Sequence, residues 1–349
     1  MDLGELLQVG AQDRVLVIAP HPDDESIATG GLLQTVRAAG AALRLVVLTD
    51  GDNNPWPQRW IEKRWHVGAA ERARWGARRR EEAYAALRVL GVDADDACFL
   101  GLPDLGLTDL LMRADAATLA ALVAQLDEFA PSLLVFPAAS DRHPDHNAAH
   151  VLLRCALARS TAAPRLLTFA VHGASPAPGD VAVDLDVRQR EIKRDAILAH
   201  ATQMQFSRRR FLAFAGEREN YQPAEPIARV DTAHPVQARI CGGRVDMRVD
   251  LHRLGAAALH SNVLFLVLEH AGGSVRCVLS AASNEQVSVL DCVAAAQREP
   301  ARLHRQGQML EISVEPAGIG AVRLGYVKFA RREPGWRVFD RFGWQAVAT

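Results

Sequence analysis

Two short runs gather side chains that can bind a cation and move protons: His21-Pro22-Asp23-Asp24-Glu25 and Asp141-Arg142-His143-Pro144-Asp145-His146. Imidazole and carboxylate are suitable ligands for zinc or a neighbouring divalent metal. A prolyl turn capped by an acid uses the same residue types, so one run alone is ambiguous. Two runs at the carboxyl ends of strands in one parallel sheet, where ligands bind in α/β folds, can converge on a single ion. Three protein ligands with a fourth position open is the layout of a catalytic ion, not a structural one. On a helix starting at Pro144, His143, His146 and His150 lie near one face, so one metal need not use all three. His150 is expected to be a packed or capping histidine.

The surrounding pattern supplies the strands. The continuous apolar run at 14–19 reads as a buried parallel strand leading straight into the first cluster. A helix over 26–39 stops at Gly40, a strand covers 43–48, and a long helix over 69–90 closes at Gly91. After a helix at 116–130, a strand at 133–136 runs into the second cluster. A helix at 144–158 and a strand at 166–171 follow. This alternation implies right-handed crossovers and an α/β, Rossmann-like sandwich with a mostly parallel sheet. Near 217–235, which holds Pro223, Pro226 and Pro235, the pattern changes. Short β-branched runs at 245–249, 263–268, 275–279, 286–290, 309–314 and 321–329 are separated by Gly242-Gly243, Gly272-Gly273 and Glu333-Pro334-Gly335. They predict a small C-terminal all-β, sandwich-like domain. The expected domains are therefore 1–228 and 236–349, the second of unknown role. Its late aromatics Trp336, Phe339, Phe342 and Trp344 are expected to pack in strands, with a sugar-binding platform as the alternative.

Composition narrows the classes. The 349 residues are 49% hydrophobic and 23% charged, which excludes a disordered or collagen-like chain. Lys and Arg number 40 against 41 Asp and Glu, a net charge of −1, so nothing in the total favours nucleic acid. Cys98, Cys155, Cys241, Cys277 and Cys292 are scattered, without a C-x-x-C pair, and read as reduced thiols. The opening MDLGELLQVGAQDR has no secretory pattern, and the longest apolar run, 263–268, is too short to span a bilayer. The expectation is a cytoplasmic protein, with attachment to the surface of the inner membrane left open and no integral membrane segment. Gly30 and Gly31 follow the first cluster, but no G-x-G-x-x-G joins strand to helix, and close helix–sheet packing accounts for them.

The two clusters together resemble the PIG-L/LmbE-like family of zinc-dependent de-N-acetylases, which act on N-acetylglucosamine-type sugars. The resemblance extends to Arg79-Arg80-Glu81-Glu82 with Leu90-Gly91-Val92, to Phe99-Leu100-Gly101-Leu102-Pro103-Asp104, and to Lys193, Ala196, His200 and Gln203. It covers roughly residues 12 to 222 and leaves the β segment outside. It implies His21, Asp24 and His146 as ligands of Zn2+, although Fe2+ fits the same donors. Asp23 would be the general base, and His143 would stabilise the oxyanion or protonate the leaving amine, with Asp145 orienting its ring. Some family members place a Tyr two residues before this His; Asp141 stands there in this chain. Arg79 and Asp104 would contact the substrate, although an i,i+3 pair of Arg79 with Glu82 on a solvated helix is an equal alternative.

The implied activity is removal of the acetyl group from an acetamido sugar or sugar conjugate. An amide hydrolase on a non-sugar substrate and a catalytically silent sugar-binding protein are the competing readings. Between residues 50 and 82 lie Trp56, Trp60, Trp65 and Trp75, interleaved with basic residues. Aromatic faces stack on sugars and Arg or Lys attract anions, so this insertion reads either as a mobile lid over an anionic or lipid-linked sugar, or as a helix whose Trp residues simply pack.

Overall fold

A computed structural model describes residues 7–173, 180–224, 230–254, 262–271, 273–281, 287–292, 302–315, 321–331 and 339–348. In chain order the first part runs β1 (Arg14–Ala19), α1 (Asp24–Ala38), β2 (Ala42–Thr49), α2 (Pro55–Glu62), α3 (Ala69–Leu90), β3 (Ala97–Leu102), α4 (Leu107–Met112), α5 (Ala116–Phe129), β4 (Leu133–Pro137) and α6 (Pro144–Leu157). It continues through β5 (Arg165–Phe169), β6 (Val181–Asp184), α7 (Val187–Ala199), α8 (Ala201–Leu212) and β7 (Arg218–Pro223). The second part comprises β8 (Val236–Cys241), β9 (Arg244–Asp250), α9 (Leu251–Leu254), β10 (Asn262–His270), β11 (Gly273–Ala281) and β12 (Val287–Cys292). It ends with β13 (Arg302–Gln306), β14 (Met309–Val314), β15 (Val322–Arg331) and β16 (Gln345–Ala346). Pro226, Gly272, Gln286, the turn Glu333-Pro334-Gly335 and Trp336 lie outside the described residues.

Two compact units emerge: Met1–Leu107 with Gln125–Ala138 and Thr161–Ala224, and Thr108–Ala124 with Ala139–Ser160 and Glu225–Thr349. The first contains a seven-stranded sheet in the order β3-β2-β1-β4-β5-β7-β6. β1 pairs in parallel with β2 and β4, and β5 is parallel to β4, whereas β7 runs antiparallel to β5 and β6. The order reverses at β1, between β2 and β4, so loops leaving the carboxyl ends of β1 and β4 start side by side. That is the switch point at which open α/β sheets bind ligands.

β1 shows why its sequence is continuously apolar. Val15, Val17 and Ala19 pack with Leu43, Leu45 and Val47 of β2 against Leu32, Leu33 and Val36 of α1, with Leu87 and Leu90 of α3 behind. Leu16 and Ile18, on the opposite face, are equally buried. Gly31 sits where α1 meets this layer; a Cβ there would lie 2.2 Å from Leu185. Close packing therefore requires the glycine. Beside it Glu219 of β7, almost fully buried, accepts from the backbone N–H of Gly31 (2.6 Å) and Leu32 (2.9 Å), from Tyr221 (2.8 Å), and from Lys193 Nζ at 2.5 Å.

The second unit holds two antiparallel sheets, β12-β11-β10-β15-β16 and β13-β14-β9-β8. Alternate residues of both sheets, Val245, Met247, Val249, Leu310 and Ile312 with Leu264, Leu266, Leu268, Cys277 and Val327, form one core. This is the sandwich that alternating short strands require. No helix among the described residues is long and apolar enough to cross a membrane.

Candidate functional site

At the end of β1 the chain turns sharply through Asp23, whose φ of 142° lies in a region that non-glycine residues rarely enter. Such a conformation costs on the order of 1–3 kcal/mol and persists only when neighbours over-determine it. The Asp23 N–H donates to Glu25 Oε2 (2.9 Å). Arg79, buried on α3, donates to Asp23 Oδ2 (2.9 Å), Pro22 O (2.7 Å) and Gly51 O (2.7 Å). Arg79 thus braces the turn on both sides, and its side chain does not stand in a solvated pair with Glu82.

Next to this turn His21 lies between two carboxylates. Its Nδ1 is 3.3 Å from Asp24 Oδ2 and its Nε2 is 3.3 Å from Asp104 Oδ1. Two ligand atoms each 2.0–2.1 Å from a tetrahedral ion stand about 3.4 Å apart, so the Nδ1/Oδ2 pair fits shared coordination. A carboxylate on the other ring nitrogen is how metal-bound imidazoles are commonly oriented. Asp104 is itself fixed by the N–H of Asn53 on its Oδ2 (2.7 Å).

Burial pushes the Asp23 carboxyl up to about 6, with the Arg79 guanidinium pulling the other way. Burial also acts to raise Asp104, but the hydrogen bond and charge of His21 outweigh it and hold that carboxyl below its usual range. Behind the turn, His200 Nε2 lies 2.9 Å from Glu25 Oε1 and 3.1 Å from Ser26 Oγ. Burial works against a charged His200, yet the charge and hydrogen bond of Glu25 hold its pKa above the ordinary value. Glu82 accepts from the backbone N–H (3.1 Å) and hydroxyl (2.6 Å) of Thr202, placing a carboxylate at the N-terminus of α8. Sequence reasoning assigns Glu25, Glu82 and His200 no individual role, and membership of a matching motif is their only signal.

The second cluster belongs to the other compact unit. His143 is the N-cap of α6, and its Nδ1 accepts the backbone N–H of Asp145 (3.3 Å). An acceptor Nδ1 leaves the hydrogen of the neutral ring on Nε2. It is the Asp145 backbone that makes this contact to the ring. Asp141 is fully buried; its Oδ1 accepts the His143 N–H (2.8 Å), and its Oδ2 lies 3.3 Å from His146 Nδ1. The acid that stands where some relatives carry a Tyr thus faces the imidazole of His146. His150 Nε2 meets Tyr326 Oη at 3.1 Å, the packed histidine expected from sequence.

In the insertion, Trp75 is buried, whereas Trp56, Trp60 and Trp65 are 54%, 72% and 83% exposed. α2 is capped by Asn54 and tied to α3 through Gln58 Nε2 on Glu71 O (2.7 Å) and Arg74 on Glu62 (2.6 Å). Trp75 therefore packs, as one reading of the insertion required, while the other three are exposed.

Residues 16–157 match the family described as PIG-L: GlcNAc-PI de-N-acetylase. The chain is similar to a 1D-myo-inositol 2-acetamido-2-deoxy-alpha-D-glucopyranoside deacetylase of Mycobacteroides abscessus, 32% identical over 236 residues, covering 56% of this chain and 82% of that protein. It is also similar to the protein of the same name from Mycobacterium sp. (strain KMS), 35% identical over 162 residues, which cover 42% of this chain and 51% of the relative. Among solved structures, a conserved protein of Thermus thermophilus aligns with a TM-score of 0.47 at 26% identity, over 64% of this chain and all of that one.

Proposed function

Since the chain belongs to the PIG-L family of GlcNAc-PI de-N-acetylases, we propose that it hydrolyses the N-acetyl group of an acetamido sugar or sugar conjugate to acetate and a free amine. The observation that carries this reading is His21 set between Asp24 and Asp104, beside an Asp23 that Arg79 holds in a strained turn. Residues 1–228 would do the chemistry and 236–349 would form an accessory domain. Free thiols at Cys98, Cys155 and Cys241 favour the reducing cytoplasm. The proposed partner is the small-molecule or glycoconjugate substrate, with no nucleic acid.

His21, Asp24 and His146 would hold Zn2+, and the two-imidazole, one-carboxylate set also accepts Fe2+. A divalent ion there supplies Lewis acidity to the acetyl carbonyl and makes water a nucleophile near neutral pH. Asp23 accepts the proton of the attacking water; a carboxyl near 6 is ionised at neutral pH yet basic enough to take it. With Nδ1 occupied by the Asp145 N–H, the His143 ring offers Nε2–H as a donor to the oxyanion. Of the two roles open to His143, this arrangement favours the donor. The proton then passes from Asp23 to the amine nitrogen as the C–N bond breaks. Arg79 and Asp104 hold Asp23 and His21, and any substrate contact they make comes on top of that task.

The test combines metal analysis with acetate release from a panel of acetamido sugars and simple acetamides. One zinc per chain with equimolar acetate and amine from a sugar is expected. Release from non-sugar acetamides alone would favour the amidase reading, and binding of zinc and sugar without any acetate would favour a silent binding protein. If the exposed Trp face grips the substrate, Trp60→Ala combined with Arg64→Ala raises KM about 3- to 10-fold on the true substrate with kcat preserved, in line with the ~0.5–1.5 kcal/mol of an aromatic contact. An unchanged KM would remove the insertion from substrate binding.

A further inference from the structure

Within the second compact unit, the C-terminal β segment reaches the turn that carries His143 and His146. Lys328 of β15, fully buried, places Nζ 2.9 Å from Asn147 Oδ1 and 2.6 Å from Asp340 Oδ2. Asn147 directly follows His146. Its Nδ2 donates to both Asp340 Oδ2 (2.9 Å) and Asp141 O (2.9 Å), the carbonyl two residues before His143. The backbone is stitched as well: Asp340 N–H donates to Arg142 O (2.7 Å) and Trp344 N–H to Ala139 O (2.9 Å). The approach at this point is so close that a Cβ on Gly343 would lie 1.8 Å from Ala139 O. The Phe339 ring meets the His143 ring edge-on at 5.9 Å between centroids. One turn further along α6, Tyr326 of the same strand β15 holds His150.

Burying a lysine is expensive unless it is paired and its remaining bonds are satisfied. A segment serving only to cover a surface would do so with apolar side chains. Here a charge pair sits at the one place where α6 begins, with its hydrogen bonds spent on the residues flanking His143 and His146. We propose that Lys328 and residues 339–344 position the catalytic loop: Lys328 and Asp340 act through Asn147 on His146, and Phe339 acts on the ring of His143. This rests on the deacetylase reading and extends the site into a region beyond the family match, which ends at residue 157. Lys328, Asp340 and Phe339 are positioning residues and take no part in bond making.

The two arms of the device have separable signatures, which a purely structural role would not produce. Asp340→Asn, which keeps shape and removes the charge, should weaken zinc binding 10- to 100-fold in a chelator competition and lower kcat by about the same factor, with KM within threefold, as for partners that orient metal ligands. Phe339→Ala, at a 43% exposed position, should lower kcat about tenfold while zinc affinity stays within twofold. Both are measured on the full chain below its melting temperature. A folded Asp340→Asn protein with zinc affinity and kcat within twofold of wild type overturns the proposal. Should that variant not fold, Phe339→Ala decides, and a kcat within twofold of wild type overturns it. Because zinc affinity is read without turnover, a wild-type protein that released no acetate would sink the deacetylase reading and still leave the Asp340→Asn measurement decisive.

Discussion

Asp23→Asn keeps about one zinc per chain and loses about 10²- to 10⁴-fold in kcat, the usual contribution of a positioned general base. The amide fills the same space and still accepts from Arg79, so the turn and its ligands stay in place, but it cannot take a proton. His146→Ala does the reverse, losing zinc affinity by more than the ~100-fold typical of partners that only orient a ligand. Inductively coupled plasma analysis and steady-state kinetics on the same preparations separate the two; equal zinc loss in both variants would show that the ligand assignment is wrong. The pH profile adds a signed expectation. As the proposed base Asp23 must be ionised, and burial in the protein raises its carboxyl to about 6. A divalent cation beside it lowers that value further, so the acid limb of kcat/KM lies below pH 6 and disappears in Asp23→Asn. A limb above pH 7 would assign it to another group.

Glu219→Ala should cost about 3–5 kcal/mol of stability, the range seen when one partner of a buried ion pair is removed. The carboxylate serves four donors at once: Lys193 Nζ, the hydroxyl of Tyr221, and the N–H groups of Gly31 and Leu32 in α1. Its loss leaves the Lys193 charge buried and opens a space under the glycine pair. At about 2–4 °C per kcal/mol for a folding unit of 150–250 residues, the melting temperature should fall by roughly 6–20 °C. A fall of less than 2 °C in calorimetry would mean that water or a side-chain rearrangement replaces the pair. Lys193→Met together with Glu219→Ala should recover part of the loss, because no stranded charge remains.

The elements most legible in the sequence are those whose signal is local. β1, α3 and β14 begin and end where the pattern places them, because apolar runs and 3.6-residue periodicity need no partner to be read. Gly91 closes α3 in the left-handed conformation expected of a residue just past a helix end. Among the strands that escape a sequence reading, β7 (Arg-Glu-Asn-Tyr-Gln-Pro) and β13 (Arg-Leu-His-Arg-Gln) present too few apolar residues for a period of two to show, and β6 (Val-Ala-Val-Asp) is too short for one. The short α2 is hidden by its two prolines, which stand where a helix tolerates them, in its first turn.

The same division runs through the site. The residue types in the two clusters can be read directly, since the proposed ligands and base lie within a few positions of one another. Their supports cannot. Asp104 meets His21 from 83 positions away, and Lys328 meets Asn147 across 181. Arg79 reads from sequence as a contact for substrate or as a partner of Glu82, and the structure shows it engaged with the turn at Asp23. Asp141 stands out in the sequence for the side chain it lacks, whereas its carboxylate lies against His146. Only a pairing that the fold creates carries such information.

The backbone at Asp23 is strained. A φ of 142° is ground that glycine occupies freely, so any pressure for a more stable protein favours replacing this aspartate first. The proposed chemistry forbids that replacement, because the carboxylate is the group that must receive the proton. Stability and turnover thus compete for a single codon, and Arg79 with Glu25 are the molecule's standing concession to the second.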